Sequence, residues 1–251
     1  PYLGSASVPA THYTSKERFD LEKEHVWMRV WQMACRVEEI PNVGDHLVYD
    51  IVDKSVLIVR SAPDRVQAYY NTCLHRGRKL ATQMGNKSEL RCPFHGFTWQ
   101  LNGDFKDCPT PWDYQHLDKK TLRLPELKVG DWGGFLFVNF DEHAPELMDV
   151  IGPLDWHFKD WQLEDRFIYY HVSKVIPCNW KVAAEAFMES QHAPTTHPQI
   201  MTHVTDVNSQ YDVFIARNAI TKIRLSKHLK SKSKILVITD SGIPSKYIRE
   251  L

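Results

Sequence analysis

The 251-residue chain carries no surplus of either charge, with Lys and Arg totalling 31 and Asp and Glu totalling 31. Proteins that live on phosphate contacts carry a basic excess, so a nucleic-acid partner is not expected. No apolar run approaches the ~20 residues needed to cross a bilayer, so a membrane partner is not expected either. The opening Pro1-Tyr2-Leu3-Gly4 lacks the basic-then-apolar pattern of a secretory leader. Cysteine is scarce: there are 5, at positions 35, 73, 92, 108 and 178. An odd count without a dense disulfide framework points to a reducing compartment, where thiols serve metals or rest in a core. The expectation is a cytoplasmic metalloprotein. What the chain does hold is 43% hydrophobic and 25% charged residues, a globular balance, together with 13 His and 8 Trp. Histidine is the commonest metal ligand.

No internal repeat is visible. Residues 15–35 carry a helical periodicity, with Phe19, Val26, Trp27, Val30, Trp31 and Ala34 on one face and capping-box spacing at Thr14 and Glu17. From His46 the texture changes to short β-branched runs at 47–51, 55–59 and 66–70, separated by Asp53-Lys54 and Pro63-Asp64. Further strand-like pieces at 96–100 and 134–140 complete an expected antiparallel module over residues 43–141. Residues 156–161 read as helix, 166–175 as strand, and 179–192 as helix, closed by Pro194 and Pro198. Residues 217–251 hold nine basic side chains and only Asp240 and Glu250 as acids, which reads as a solvated surface or tail.

Two constellations carry chemistry. The first is Cys73-Leu74-His75-Arg76-Gly77, followed by Arg91-Cys92-Pro93-Phe94-His95-Gly96. Two thiolates and two imidazoles on two loops suit zinc and iron–sulfur alike by ligand type. Spacing separates them. A Cys-x-His pair is cramped for one tetrahedral zinc, whereas across two irons Cys73 can bind one while His75 reaches the other, with Cys92 and His95 repeating the arrangement. Gly77 and Gly96 allow tight turns that aim N–H groups at bridging sulfides. Neutral imidazoles in place of two thiolates raise the reduction potential. Both loops resemble those of Rieske 2Fe–2S domains.

The second runs Asn179-Trp180-Lys181, Glu185, Glu189, His192 and His197. On a continuous helix Glu185, Glu189 and His192 form one stripe, and Pro194 lets His197 return from the following turn. Two His and a carboxylate on one face of iron leave positions open for dioxygen. A cluster motif followed by Asn-Trp-Lys and His-x4-His resembles the catalytic alpha subunit of Rieske non-heme iron oxygenases of the aromatic-ring-hydroxylating type, over about residues 15–214.

That resemblance implies an α+β fold. An antiparallel-β Rieske domain (43–141) would be inserted into a helix-grip, START-like catalytic domain formed by 1–42 and 142–251, incomplete toward the C-terminus. It implies a Rieske cluster on Cys73, His75, Cys92 and His95, and a mononuclear non-heme Fe(II) on His192 and His197. Glu189 would stand at the bridging position, where most members have Asp. The third, carboxylate ligand has no supporting pattern among Asp206, Asp212 and Asp240. NAD(P)H electrons would arrive through a reductase, with or without a ferredoxin, at a homotrimer with or without beta subunits. Dioxygen would then be inserted into an organic substrate. Aromatic ring dihydroxylation is the leading expectation, with monooxygenation or demethylation as the alternative, and electron transfer by a Rieske protein with a defective iron site as a further one. A zinc-stabilised binding module without redox chemistry is the reading outside this family. Trp99 reads as cluster shield or sheet core, Arg76 and Arg78 as surface charge, and Cys35, Cys108 and Cys178 as structural. His157, His171 and His203 have no motif.

Overall fold

The computed structural model describes residues 6–189 and 192–199. It divides into two compact units, Pro1–Ile176 and Pro177–Leu251.

The first unit opens with α1 (Thr11–Thr14) and α2 (Lys16–Glu22), the latter loosening into a π turn at Lys23–Trp27. Ser15, not Thr14, caps α2, its hydroxyl accepting from the Arg18 N–H at 3.2 Å. The strands are β1 (Gln32–Arg36), β2 (Asp45–Ile51), β3 (Lys54–Ala62), β4 (Arg65–Tyr70), β5 (Gly85–Asn86), β6 (Leu90–Arg91), β7 (Thr98–Trp99), β8 (Phe105–Asp107), β9 (Glu126–Trp132) and β10 (Phe135–Asn139). They form a seven-stranded antiparallel sheet in the order β1-β10-β9-β4-β3-β2-β5 and a three-stranded sheet β6-β7-β8. The helix expected over residues 15–35 therefore stops early. Gln32 pairs with Val138 and Arg36 with Phe135, so ladder bonds to β10 claim the last four residues of that span, 32–35, despite their helical periodicity.

β3 explains how the sheet holds two cores. Val56, Leu57, Ile58 and Val59 are all fully buried, because alternate side chains enter opposite faces. Leu57 and Val59 join Tyr69, Trp99, Phe105 and the Cys73 and Cys92 loops. Val56 and Ile58 join Ala68, Leu127, Leu136 and Val138 against β1. Residues 47–51, 55–59 and 66–70 fall inside β2, β3 and β4 as expected, and 134–140 contains β10.

α3 (Leu147–Phe158) and the short turn Lys159–Trp161 extend the helix expected at 156–161. Residues 166–175 form no strand. They have β-type side chains but no ladder partner among the described residues, and Tyr169, Tyr170 and Val175 lie open. In the second unit, the helix expected over 179–192 is shorter. α4 (Trp180–Ala186) is capped by Asn179, whose side chain accepts from the Lys181 N–H, and it ends at Phe187. Pro194 does not close that helix. It lies in the first turn of a new one, α5 (Ala193–Thr196), where its missing N–H costs nothing. Cys178, expected to enter the core, is exposed.

Candidate metal centres

The two cysteine loops share one backbone frame. In the first, the Gly77 N–H donates to the Cys73 carbonyl at 2.9 Å and the Cys73 N–H to the Arg78 carbonyl at 2.9 Å. In the second, the Gly96 N–H donates to the Cys92 carbonyl at 3.1 Å and the Cys92 N–H to the Phe97 carbonyl at 2.8 Å. Each Cys thus precedes its Gly by four residues, and both glycines take positive φ, +72° and +70°, which L side chains rarely adopt. A Cβ at Gly96 would also fall 2.8 Å from Pro109, whereas one at Gly77 would meet open space.

The first loop is tied at its base by Asn71, which is fully buried. Its Oδ1 accepts from the N–H groups of Leu80 at 2.9 Å and Ala81 at 3.1 Å. Its Nδ2 donates to the Ala81 carbonyl at 2.7 Å and to Ser55 Oγ at 3.1 Å. Sequence reasoning missed this residue because its role is a tertiary staple with no local pattern.

The frame brings all four candidate donors together. Cys73 and Cys92 are both buried in the same core. Burial pushes the Cys73 thiol up, the His75 and Arg76 N–H groups aimed at it pull the other way, and Cys92 adds to the rise. The His75 and His95 rings meet edge to face, 4.7 Å between centroids. Burial, the neighbouring His95 and Arg76 all lower the His75 pKa, favouring the neutral form that binds metals. His95 Nδ1 is buried without a hydrogen-bond partner. His75 Nε2 lies 3.2 Å from the Tyr114 hydroxyl, leaving its Nδ1 for a metal.

A buried imidazole nitrogen with no partner is costly unless something absent from the polypeptide binds it. The donor set fits a two-iron cluster, since two soft sulfurs and two neutral nitrogens give each iron two protein ligands. Among the described residues no three His, Cys, Asp or Glu side chains are arranged to hold a single metal ion. Trp99 is fully buried within the same core.

In the second unit, α4 ends before Glu189, so Glu185, Glu189 and His192 do not form the stripe of one helix that the spacing predicted. Glu189 and His192 are nevertheless in direct contact. Glu189 Oε1 lies 2.5 Å from His192 Nδ1, and the His192 N–H donates to Oε2 at 3.3 Å. This contact leaves His192 Nε2 for a metal. His192 and His197 flank α5 as its two caps, and their rings meet edge to face at 5.4 Å. The pair suits a mononuclear metal with open positions. Asp206, Asp212, Asp240, His203 and the basic segment 217–251 lie outside the described residues. His157 and His171 are exposed.

Two known families match successive parts of the chain. Residues 30–118 match the Rieske [2Fe-2S] domain, and residues 156–233 match the catalytic domain of ring-hydroxylating alpha subunits. The chain thus carries the Rieske domain and the ring-hydroxylating alpha subunit domain that its motifs led us to expect, and these two domains imply a Rieske cluster and a mononuclear iron.

Among its relatives is the carnitine monooxygenase oxygenase subunit of Acinetobacter baumannii, 29% identical over 198 residues, which are 76% of this chain and 52% of that protein. The crystal structure of the quaternary ammonium Rieske monooxygenase CntA with L-carnitine superimposes with a TM-score of 0.73 at 28% identity, covering 78% of this chain and 56% of CntA. Naphthalene 1,2-dioxygenase from Rhodococcus sp. with indole gives a TM-score of 0.70 at 28% identity, over 78% and 46% of the two chains. The chain spans about half the length of the curated relatives it matches. Among the described residues no helix is long and apolar enough to cross a membrane.

Proposed function

We propose that this chain is the electron-receiving and iron-binding part of a terminal monooxygenase acting on a quaternary ammonium compound. The observation that carries the oxygenase reading is the convergence of two buried thiols with two imidazoles, one of which holds a buried, unpartnered Nδ1. The similarity to a carnitine monooxygenase subunit and to CntA supports the substrate class. This favours the alternative drawn from the sequence over aromatic dihydroxylation. The aromatic reading keeps one specific support, the likeness to naphthalene 1,2-dioxygenase.

In this reading Cys73, His75, Cys92 and His95 hold the cluster, within a domain over about residues 43–141. His192 and His197 hold the iron. Segments 1–42 and 142–251 belong to the catalytic domain, and Glu189 links the two centres. When bound, the cluster supplies single electrons and the iron activates dioxygen. The chain's own residues favour the neutral form of His75, bury the thiols and orient His192 through Glu189. A reductase fed by NAD(P)H, with or without a ferredoxin, is the expected partner, and a homotrimer the expected assembly.

Oxygen uptake with a reductase is compared for L-carnitine, glycine betaine and naphthalene, and products are identified by mass spectrometry. Product from a quaternary ammonium compound supports the proposal, whereas uptake and product with naphthalene alone refute the substrate class. Glu189→Gln is expected to leave the cluster's absorption intact while nearly abolishing turnover. Wild-type coupling in that variant removes Glu189 from the path.

A further inference from the structure

The two histidines proposed as cluster ligands stand in different surroundings. His95 packs against Phe94, which is exposed. His75 is half-buried and held by two rings: Phe97 stacks on its face at 4.6 Å and 12°, and Tyr114 meets it edge on at 5.7 Å and 85°. Tyr114 also meets Phe97 edge to face at 5.0 Å, and its hydroxyl is 3.2 Å from His75 Nε2. The tyrosine comes from a third loop. After buried Cys108, Pro109 lies against Gly96, and Pro111–Tyr114 forms a short helical turn that brings the phenol over the first cysteine loop.

We propose that Tyr114 is a positioning residue that fixes the ring of His75 and sets the cluster's reduction potential through its hydroxyl. This rests on the reading of His75 as a cluster ligand. With Nδ1 committed to iron, a neutral imidazole carries its remaining proton on Nε2, which then donates to Tyr114 Oη. Giving up part of that proton makes the imidazole a stronger electron donor and favours the oxidised cluster. The hydroxyl therefore lowers the potential, opposing the rise that histidine ligation brings. The stacked Phe97 and edge-on Tyr114 leave the ring little room to turn, so the contact persists in both redox states.

The test is the reduction potential of the intact protein, by voltammetry, with iron and acid-labile sulfide counted in each variant. Tyr114→Phe keeps the ring and removes the hydroxyl, so its potential is expected to rise above wild type at full cluster content. Tyr114→Gln and Tyr114→Leu are close in shape and differ in whether an acceptor remains, so the glutamine variant is expected to lie below the leucine one. A Tyr114→Phe potential equal to or below wild type overturns the inference. Should Tyr114→Phe not retain its cluster, a glutamine variant no lower than the leucine variant overturns it instead. A wild-type protein without a mixed-ligand cluster spectrum sinks the proposed function and this inference together. A normal wild-type spectrum with an unshifted phenylalanine variant sinks only this one.

Discussion

Replacing Asn71 with leucine isolates the polar staple beneath the first cysteine loop, because the two side chains are nearly the same size and no cavity is left. The substitution removes the partner of the Leu80 and Ala81 N–H groups and of the Ala81 carbonyl. Leu80 is 2% exposed and Ala81 7%, so water has little access to these groups. Each buried main-chain group left unpaired costs roughly 1–3 kcal/mol, bounding the loss at about 3–9 kcal/mol. The two N–H groups share one acceptor, and Thr82 beyond them is exposed, which allows some relaxation toward solvent. The expected loss is therefore near the low end, about 3–4 kcal/mol, a large share of the roughly 5–15 kcal/mol that holds a typical domain folded. Ser55→Ala removes only the fourth partner and is expected to cost about 1 kcal/mol or less. Urea unfolding followed by tryptophan fluorescence measures both, and the rate at which the brown colour bleaches reports the loop itself. A loss below about 1 kcal/mol for Asn71→Leu, or equality with Ser55→Ala, refutes the assignment of Asn71 as the anchor.

The paired glycines should not be equally tolerant. Gly77→Ala is expected to cost about 1 kcal/mol, the price of positive φ alone, while Gly96→Ala adds a collision with Pro109 and should cost clearly more in thermal unfolding. Equal losses refute the contact. Burial pushes the Cys35 thiol up to about 12 from 9.0, so the folded chain holds that proton longer than the unfolded one. The associated stability is intact below pH 9 and falls between pH 9 and about 12, by at most about 1.4 kcal/mol per pH unit. In a thiol-labelling series at pH 8, exposed Cys178 is expected to react well before Cys35, and the reverse order refutes the burial argument.

The parts legible in the sequence were those whose signal is local. β2, β3 and β4 announce themselves through β-branched runs between turn residues, and the Cys-x-His and Cys-x-x-His pairs through spacing that only a shared metal site explains. Where pairing with a distant segment decides the outcome, the local signal misled. Residues 32–35 satisfy a helical period yet belong to a ladder with β10, and 166–175 have strand-like composition without a neighbour to pair with among the described residues. β9 was missed because Leu127 and Val129 lie among charged residues and Gly130. Asn71 and Tyr114 act across the fold, 10 and 39 residues from the groups they hold, so no spacing rule could have found them.

Glu189 shows how a changed side chain length is absorbed by the backbone around it. On a continuous helix, Glu189 and His192 would sit about one turn apart on the surface, with a flexible glutamate free to take several rotamers. Here α4 ends at Ala186, and Glu189 stands outside any helix. Its carboxylate turns both oxygens to one residue, Oε1 to the His192 ring and Oε2 to the His192 N–H. Two contacts from one carboxylate restrain the extra methylene that separates glutamate from the aspartate most members carry. The same contact commits Nδ1 of His192 and fixes the direction of its ring, which leaves Nε2 as the nitrogen for the proposed iron. The early end of α4, which removes the predicted helical stripe, is therefore compatible with the bridging role proposed for the longer acid, because Glu189 still reaches His192 through both oxygens.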